Sequence, residues 1–392
     1  MTSRAVLALN AGSSSLKVAL FHDERCRVRG TIERINEAPH LVLDGATTPS
    51  DALPRLTGTG HAAVIAPLLD WLEAQFGDVP LSAVGHRVVH GGRHHAAPCL
   101  LEPAVVDELR ELIPLAPLHQ PPALALIDAL HAHWPTLPQV ACFDTAFHRS
   151  QPWLNQCFAL PRRLTEEGIL RYGFHGLSYA HAVRQLPELI GERHRGRVII
   201  AHLGHGCSLC ALADGQSQAT TMGFTALDGL MMGRRAGNLD PGVILYLLQQ
   251  KGWRADEIEH LLYHDSGLYG VSGLSDDMRD LLASDAPAAA EAVALFVRRV
   301  VREIGGLVAL LGGLDALIFT AGIGEHAAPI RQAVCHDLAW LGIKLDDAAN
   351  ARHAPRLDRG GGPAIGIVAA DEEAEIRRST LACLPASPAA PA

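Results

Sequence analysis

The chain has 392 residues, a length that suggests about two domains. It carries 33 Lys and Arg against 42 Asp and Glu, a formal net charge of −9, and 48% of its residues are hydrophobic. This composition predicts a large buried core, excludes a disordered chain, and argues against nucleic-acid binding, which needs an excess of basic residues. The apolar run at 5–9 is too short for a signal peptide and no stretch is long enough for a membrane span, so we expect a cytoplasmic protein.

The first predicted elements form a strand, a turn and a second strand. A buried strand at 5–9 runs into the Gly- and Ser-rich segment 10–17 and continues as a strand at 18–21. A strand at 198–201 and the Gly-rich segment 202–208 repeat this layout in the second half of the chain. The repetition suggests a duplicated α/β unit, although two unrelated hairpins would give the same pattern.

The elements that follow alternate between strand and helix, which is typical of an α/β fold. Helical spacing of apolar residues predicts a helix at 102–113 and a long helix at 286–311. A last helix opens at Asp371 and reaches about Leu381. The predicted strands lie at 83–90, directly before Asp144, and at 316–320.

The segment 10–17 is rich in groups that bind phosphate. It combines the backbone N–H groups of a glycine turn, several hydroxyls and one ammonium group, directly after a strand. The Walker pattern GxxxxGK[ST] is absent, which disfavours a phosphate loop at a helix N-terminus. A serine-rich hairpin turn without a ligand is the more common structure, so this segment alone leaves both interpretations open.

Two more glycine-rich turns follow predicted strands. Gly204 and Gly206, within 202–208, allow the backbone to approach a ligand closely. The segment 320–325 follows its strand at the place where open α/β sheets bind nucleotides. Each turn is a weak signal by itself, but three together suit a triphosphate and favour nucleotide binding.

Arginines and carboxylates supply the charges that phosphoryl transfer uses. Arg87 lies in a predicted strand and Arg234 and Arg235 are adjacent, and a planar guanidinium suits the charge spread over phosphoryl oxygens. Asp144 at a strand end and Glu372 at a helix start are placed to hold Mg²⁺. The structural alternatives for these residues are surface ion pairs, a helix N-cap and a favourable helix dipole.

Histidines and cysteines give weaker signals. His119 lies between prolines and His175 lies in 172–178, and either ring is able to hydrogen-bond a transferring phosphoryl group, although each is one of 21 histidines. Cys207 and Cys210 form the only CxxC, with no second pair at zinc-ribbon spacing. The eight cysteines fit reduced thiols of a cytosolic protein, and this pair fits small core residues on a strand.

Nine segments, taken in order, form one pattern: LNAGSSSLK at 9–17, GHRVVHGG at 85–92, APLH at 116–119, FDTAFH at 143–148, YGFHG at 172–176, HLGHGCS at 202–208, MGFTALDGL at 222–230, SGLSDDMRD at 272–280 and TAGIGE at 320–325. The pattern resembles the acetate kinase family over about residues 5–380. The resemblance implies the superfold shared with sugar kinases, Hsp70 and actin. This is a two-lobed, duplicated ribonuclease-H-like (actin-like ATPase) α/β fold with the active site in the interlobe cleft.

The resemblance also implies an activity and a set of residues. The activity is reversible transfer of a phosphoryl group from ATP to acetate, directly and in line, with Mg²⁺ or alternatively Mn²⁺, giving acetyl phosphate and ADP. The implied catalytic residues are Arg87, Asp144, His175, Arg235 and His119. The implied substrate pocket comprises Arg87, Val89, Leu118, Phe174 and Ala226. The implied nucleotide and phosphate contacts are Asn10, Ser13, Ser15, Lys17, His202, Gly204, His205, Gly206, Asp277, Arg279, Gly322 and Gly324, and the implied metal ligands are Asn10 and Glu372, with Asp144 beside them.

A domain organisation and an assembly follow from the same resemblance. It implies an N-terminal lobe at 1–148, completed by a C-terminal helix at about 372–383. It implies a nucleotide-binding and dimerisation lobe at 149–371 and leaves a frayed tail at 384–392. The expected partners are a small carboxylate, ATP and a second copy of the chain, with no nucleic acid and no membrane.

Several positions depart from the family pattern. His205 stands where Asn is usual, Arg234 adds a cation, and Asn238 replaces an acid, so we expect a more positive field around Arg235. Ala226 stands where many members have Pro, and a smaller residue there would admit propionate, since one methylene is worth only about 1–3 kcal/mol. The alternatives are therefore a propionate or butyrate kinase, or a nucleotide-binding switch with little transfer activity.

Overall fold

The computed structural model describes residues 4–12, 15–44, 53–56, 58–77 and 80–385. Ser13 and most of the tail predicted at 384–392 lie outside these ranges. The chain divides into two compact units, here called unit 1 and unit 2. Unit 1 comprises Met1–Phe147 and Asp371–Ala392, and unit 2 comprises His148–Ala370.

Unit 1 is built on a sheet of seven strands in the order β4-β3-β2-β1-β5-β7-β6. Its central strands read as continuous apolar runs because both faces of the sheet are covered. The strands are β1 (Ala5–Ala11), β2 (Leu16–His22), β3 (Arg25–Glu33), β4 (His40–Leu43), β5 (Leu81–Val88), β6 (Cys99–Leu100) and β7 (Gln139–Phe143). The helices are α1 (His61–Phe76), α2 (Pro103–Glu111), α3 (Gln120–His133) and, from the end of the chain, α15 (Glu372–Cys383).

Helices cover the sheet of unit 1, and one of them comes from the far end of the sequence. Apolar residues of α1, such as Leu68, pack with Leu7 and Leu9 of β1 in one core cluster. The helix α15 lies against β5 at Gly85, where an added Cβ would collide with the side chain of Thr380. Gly85 is therefore needed for the close approach of strand and helix.

Unit 2 contains a sheet of five strands in the order β10-β9-β8-β11-β12. The strands are β8 (Arg197–Leu203), β9 (Cys207–Ala213), β10 (Gln216–Thr220), β11 (Ala316–Thr320) and β12 (Ala364–Ile367). The helices are α4 (Trp153–Gln156), α5 (Arg162–Glu166), α6 (Gly176–Ile190), α7 (Pro241–Gln249), α8 (Ala255–His264), α9 (Gly267–Ser272), α10 (Met278–Ala283), α11 (Pro287–Leu311), α12 (Ala321–His326), α13 (Ala328–Asp337) and α14 (Asp347–Ala351). Short 3-10 helices lie at Ile113–Leu115, Ala146–Ser150, Gly191–Arg195 and Ala339–Leu341.

The two sheets share one strand order and one set of directions. In unit 1, β3, β2 and β1 form an antiparallel meander, and β5 and β7 then add in parallel. In unit 2, β10, β9 and β8 form the same meander, and β11 and β12 add in parallel. The duplication suggested by the two strand-turn-strand patterns is therefore present at the level of topology, and β4 and β6 are additions to unit 1.

Most predicted elements are confirmed, with shifted ends. The predicted strand at 316–320 coincides with β11, and the predicted helix at 286–311 is α11, which begins at Pro287. One prediction is wrong in kind: the glycine-rich turn expected at 320–325 is helix α12, because the backbone becomes helical directly after Thr320. In the described part of the chain, none of the helices combines the length and apolarity that crossing a bilayer requires.

Candidate active site

A cluster of polar side chains lies at the ends of β1, β5 and β7 in unit 1; we call it the Arg87 cluster, comprising Asn10, Arg87, Asp144, Glu372 and Glu373. Both Nε and Nη2 of Arg87 donate to Oδ2 of Asp144, at 3.0 and 2.6 Å. Nη1 of Arg87 donates to Oδ1 of Asn10 at 3.2 Å. The amide Nδ2 of Asn10 in turn donates to Glu372 at 2.8 Å and to Glu373 at 3.0 Å. One arginine and one amide thus hold three carboxylates together.

The Arg87 cluster is buried, and its charges depend on one another. Asp144 is fully buried at the end of β7, and the side chain of Arg87 is only 15% exposed. Burial alone would lower the pKa of Arg87, but the nearby carboxylates of Asp144 and Glu372 outweigh it and raise the pKa above its usual range. Arg87 is therefore a permanent cation in a partly desolvated site, where its charge interacts with nearby groups more strongly than it would in water.

The helix that supplies Glu372 and Glu373 is fixed at its first turn. Asp371 caps α15 by accepting from the backbone N–H of Ala374 at 3.0 Å. Nη2 of Arg29, on β3, donates to both carboxylate oxygens of Asp371, at 2.7 and 2.8 Å. Arg29 thus anchors the end of α15 that carries the acids, a role that no motif in the sequence indicates.

The predicted phosphate segment connects β1 to β2. Within it, the N–H of Gly12 donates to the carbonyl of Ser15 at 2.9 Å, and this bond closes the turn. Lys17 stands opposite Asn10 in the β1–β2 register and its side chain is exposed. Asn10 and Lys17 therefore bracket the turn, whose residue Ser13 lies outside the described ranges.

A second cluster, in unit 2, surrounds the ring of His175; we call it the His175 cluster, comprising His175, Ser178, Tyr179, His202 and Ser208. His175 has φ 61°, in the left-handed region, and precedes α6. Its Nδ1 lies 2.8 Å from the hydroxyl of Ser208, which also contacts the hydroxyl of Tyr179 at 2.5 Å. The ring stacks on His202 with centroids 4.0 Å apart, and Nδ1 of His202 contacts Ser178 at 2.8 Å. These contacts fix the orientation of His175 with neutral partners.

Gly206 lies beside the ring of His175 and the guanidinium group of Arg235. A Cβ placed there would lie 2.8 Å from Nη2 of Arg235 and 3.2 Å from Nε2 of His175. Nη1 of Arg235 donates to the carbonyl of Ala226 at 2.6 Å. The absence of a side chain at 206 is therefore what lets a cation and an imidazole converge at the turn between β8 and β9.

The remaining predicted nucleotide residues of unit 2 lie in two groups. Asp277 caps α10 by accepting from the N–H of Arg279 at 2.8 Å, and the Arg279 side chain is 89% exposed. Gly322 and Gly324 lie in α12, and a Cβ at Gly204 would lie 3.4 Å from that of Ala321 at the start of this helix. Gly204 and α12 are thus neighbours.

Some residues predicted for the acyl pocket belong to unit 1 and the others belong to unit 2. In unit 1, Val89 follows β5 and is buried, while Leu118 and His119 precede α3 and are half-buried. His119 is the N-terminal cap of α3, and its own N–H donates to the carbonyl of Ala116 at 3.0 Å. In unit 2, Phe174 is buried and Ala226 is half-buried.

The sequence is similar to those of known proteins. The sequence matches the Acetokinase family over residues 5–376. The chain belongs to this family. An acetate kinase of Rhodopseudomonas palustris (strain ATCC BAA-98 / CGA009) is 55% identical over 359 residues, covering 89% of this chain and 90% of the relative. An acetate kinase of Methylocella silvestris is 46% identical over 97% of this chain and 98% of the relative.

A solved structure of the same family supports the fold. A propionate kinase from Francisella tularensis superposes with a TM-score of 0.91 at 35% identity, covering 97% of this chain and 100% of that chain. The two-lobed, duplicated fold class expected from the resemblance to acetate kinases is thereby confirmed.

The magnesium site implied by the acetokinase resemblance can be tested against the donor atoms in unit 1. Within the described ranges, no group of three or more His, Cys, Asp or Glu is arranged to hold a metal ion. Mg²⁺ does not require one, because it keeps several waters and binds through one or two carboxylates and the substrate phosphates. Glu372 supplies a hard carboxylate donor, and it accepts from the amide nitrogen of Asn10, whose amide oxygen accepts from Nη1 of Arg87. One carboxylate of this kind fits Mg²⁺, which takes its other ligands from waters and phosphates.

The structure also contains polar residues that sequence reasoning did not assign. Ser208 stands inside the HLGHGCS motif, and Glu373 follows Glu372, so their motifs gave a signal that was not used. Tyr179 lies four residues after His175, one helical turn away on α6, which only a helix prediction there would have revealed. Asp276 stands inside the SGLSDDMRD motif beside Asp277, but its contacts with His205 and Arg234 could not be inferred because these partners are distant in sequence.

The cysteines agree with a structural role. All eight are free thiols, and Cys207 and Cys210 are buried on β9. Burial raises the pKa of each of these two thiols to about 12. They are therefore unreactive core residues of a strand, as the isolated CxxC predicted.

Proposed function

We propose that the chain is an acetate kinase, which transfers the γ-phosphoryl group of ATP reversibly to acetate and forms acetyl phosphate and ADP. The observation that carries this proposal is the match to the Acetokinase family over residues 5–376, together with 55% identity to a protein named acetate kinase. The Arg87 and His175 clusters supply groups suited to that chemistry.

The acceptor needs no general base. The carboxylate of acetate is already ionised at neutral pH, so one of its oxygens attacks the γ-phosphorus while the bond to the bridging oxygen of ADP breaks. No proton is transferred in this step. Catalysis then depends on positioning and on neutralising the charge of the transferring phosphoryl group, and we assign this task to Arg87 and Arg235.

Asp144 acts through Arg87 in this proposal. Its Oδ2 accepts two N–H groups of Arg87, which orients the guanidinium plane. The carboxylate is fully buried and already engaged, so it is better suited to orienting a cation than to accepting a proton.

His175 is assigned to the phosphoryl group itself. Because its Nδ1 contacts Ser208, its Nε2 is the nitrogen that faces Gly206, 3.2 Å from a Cβ placed there. A neutral imidazole with Nδ1 accepting the Ser208 hydroxyl would carry its proton on Nε2 and donate it as a hydrogen bond to a phosphoryl oxygen.

The metal and the nucleotide complete the proposed site. We assign Mg²⁺ to Glu372 and Asn10, with Mn²⁺ as an alternative ion of similar ligand preference. When bound, the ion neutralises phosphate charge and orients the phosphates of ATP. We assign the nucleotide to Ser15, Lys17, His202, Gly204, His205, Gly206, Asp277, Arg279, Gly322 and Gly324, together with Ser13.

The deciding experiment traps the acyl phosphate as a hydroxamate. Wild-type protein receives Mg·ATP with acetate, propionate or butyrate at matched concentrations, and we expect the fastest product formation from acetate. The relatives named acetate kinase, at 55% and 46% identity, support acetate over the longer acids. Faster reaction with propionate or butyrate would contradict the assignment, and no product with any acid would leave only nucleotide binding.

We also propose a homodimer held by unit 2, with the chain located in the cytoplasm. The helix α7 has no buried residue, and Val243, Leu245 and Tyr246 are 41%, 52% and 52% exposed. An exposed helix with this many apolar side chains is typical of a protein–protein interface. Symmetric dimers are the commonest closed assembly of identical chains. Eight free thiols suit a reducing compartment.

The dimer is tested by charge on α7. Leu245→Glu should convert the sedimentation profile from dimer to monomer, because it places a carboxylate in the proposed apolar contact. Leu154→Glu is the control, since Leu154 is 84% exposed on α4 and lies outside the proposed interface. A wild-type monomer at micromolar concentration would exclude this assembly.

A further inference from the structure

A single carboxylate in unit 2 contacts an arginine and a histidine from different segments. Oδ2 of Asp276 accepts from Nε of Arg234 at 2.7 Å and lies 3.3 Å from Nε2 of His205. We call these three residues the Asp276 clasp. The side chains of Asp276 and Arg234 are 30% and 39% exposed, so the clasp lies at the protein surface with its carboxylate partly shielded.

The clasp joins segments that are far apart in sequence. His205 belongs to the turn between β8 and β9, and Asp276 lies in the loop between α9 and α10. The N–H of Gly233 donates to the carbonyl of His205 at 3.1 Å, and a Cβ at Gly233 would lie 3.0 Å from the His205 ring. The turn is thus held by backbone contact at 233 and by side-chain contact at 276.

Arg234 is itself held from three sides. Its guanidinium lies over the ring of Tyr269, 4.3 Å from the centroid, and Nη1 donates to the carbonyl of His264 at 3.2 Å. The third contact is the ion pair with Asp276. A guanidinium with three fixed contacts loses little further freedom when it binds a carboxylate, so it holds Asp276 in one orientation.

The surroundings of Asp276 favour the ionised form of its carboxyl group. Burial raises the pKa of Asp276, but hydrogen bonds from Arg234 and His205 outweigh it and the pKa is lowered. The cation that Arg234 adds beside Arg235 is therefore offset by Asp276, so the strongly positive field expected from the sequence is reduced.

We propose that Asp276 is a positioning residue for the nucleotide. It fixes the turn that contains Gly204 and Gly206 relative to Asp277, the cap of α10, which is the next residue in the chain. This inference rests on the proposed function, because it takes those residues as nucleotide contacts. The clasp raises the affinity for the nucleotide and has almost no effect on the rate of the chemical step.

The first test measures binding of Mg·ADP by isothermal titration calorimetry. Asp276→Asn keeps the shape of the side chain and removes its charge, and we expect a dissociation constant raised about tenfold, the effect of losing charge-assisted hydrogen bonds. Asp276→Glu retains the charge and should recover part of the affinity. A variant that merely folds less well would lower the binding stoichiometry and leave the dissociation constant of the folded fraction unchanged.

The second test measures coupling between the members of the clasp. Arg234→Ala should weaken binding, and it should not weaken it much further in the Asp276→Asn background, because the carboxylate that Arg234 orients has already lost its charge. At saturating substrates, we expect kcat of Asp276→Asn to stay within about twofold of wild type while KM for ATP rises. Arg254→Ala is the matched control, since it breaks an exposed Arg–Asp pair on α8.

The outcomes separate this inference from the proposed function. The role proposed for Asp276 would be contradicted by a dissociation constant of Asp276→Asn within about twofold of wild type. It would also be contradicted if the effects of Arg234→Ala and Asp276→Asn on binding were fully additive. Either result would leave the kinase assignment unchanged. A wild-type protein that binds no Mg·ADP would overturn both. A tenfold loss of affinity with unchanged kcat would support the clasp, whatever acid proves to be the preferred acceptor.

Discussion

The two units share a strand order but place opposite kinds of chemistry on it. Asn10 is the next-to-last residue of β1, and His202 is the next-to-last residue of β8. Opposite them in register stand Lys17 and Ser208. Equivalent positions of the repeated sheet thus carry an amide and an ammonium group in unit 1, and an imidazole and a hydroxyl in unit 2.

The same contrast extends to the two clusters. The Arg87 cluster is ionic, with one buried arginine and three carboxylates linked through Asn10. The His175 cluster is a set of contacts between imidazole rings and hydroxyl groups, in which Ser208 is the shared partner of His175 and Tyr179. Topology is therefore repeated while polar chemistry is not, so the function of one unit cannot be read from the other.

The largest expected difference between the units concerns their arginines. Arg87→Ala should lower turnover by about three decades and also lower the free energy of unfolding by about 3–5 kcal/mol, because it leaves Asp144 buried without its ion pair. Arg235→Ala should lower turnover similarly but cost only about 1 kcal/mol of stability, since Arg235 donates to a backbone carbonyl.

Hydroxamate assays and urea unfolding of both variants check this prediction. Arg87→Lys is the control, because it retains a charge without the two parallel N–H donors. Equal stability losses in the Arg87→Ala and Arg235→Ala variants would show that the two arginines do not differ in the way described.

The next prediction concerns the pH dependence of stability, to which one buried histidine in each unit contributes. Burial lowers the pKa of His86 and of His148 from 6.5 to about 4. Between about pH 6.5 and pH 4 the unfolded chain binds protons that the folded chain does not, so stability falls as the pH falls. The contribution is complete above pH 6.5, and each histidine accounts for a loss on the order of 3 kcal/mol by pH 4.

Urea unfolding across this pH range measures the slope. His86→Gln and His148→Gln should each make stability less dependent on pH, by similar amounts in the two units. The exposed residue His326 supplies the control variant His326→Gln. If only one of the two substitutions changed the pH dependence of the free energy of unfolding, the contribution of buried histidines would be limited to that unit.

The smallest expected effect on turnover comes from removing the serine that orients His175 in unit 2, as opposed to a serine that only contributes to packing. Ser208→Ala should lower turnover about tenfold, because it removes the hydroxyl that fixes Nδ1 of His175. Ser217→Ala is the matched control: Ser217 is a buried serine 2.9 Å from Nδ1 of His148, outside the proposed machinery. It should lower stability by about 1 kcal/mol and leave turnover unchanged. Equal losses of turnover in both variants would refute the role of Ser208.

Local patterns predicted much of the fold but few of its long-range contacts. The long helix α11 and the strand β11 followed from apolar periodicity alone, because burial of one face or of a whole strand leaves a direct mark on the sequence. The start of α12 did not, since glycine residues at 322 and 324 are typical of a turn and only the fold places them in a helix.

The candidate site shows the same division. Arg87, Asp144 and Glu372 were proposed separately, and their hydrogen-bonded arrangement depends on β5, β7 and α15 meeting, which no local spacing encodes. Arg29 and Asp276 were missed because each acts on residues of another segment. Residue types follow from the sequence, whereas partnerships across a sheet follow only from the complete fold.

The position of α15 late in the sequence determines when unit 1 can be completed during synthesis. The thiol of Cys142 on β7 contacts the carbonyl of Ile376 on α15, and the two residues are 234 positions apart. At synthesis rates of about 5–20 residues per second, α15 is made roughly 10–50 seconds after β7. During that interval the face of β5 at Gly85 has no α15 to cover it. Unit 1 is therefore completed only after all of unit 2 has been synthesised.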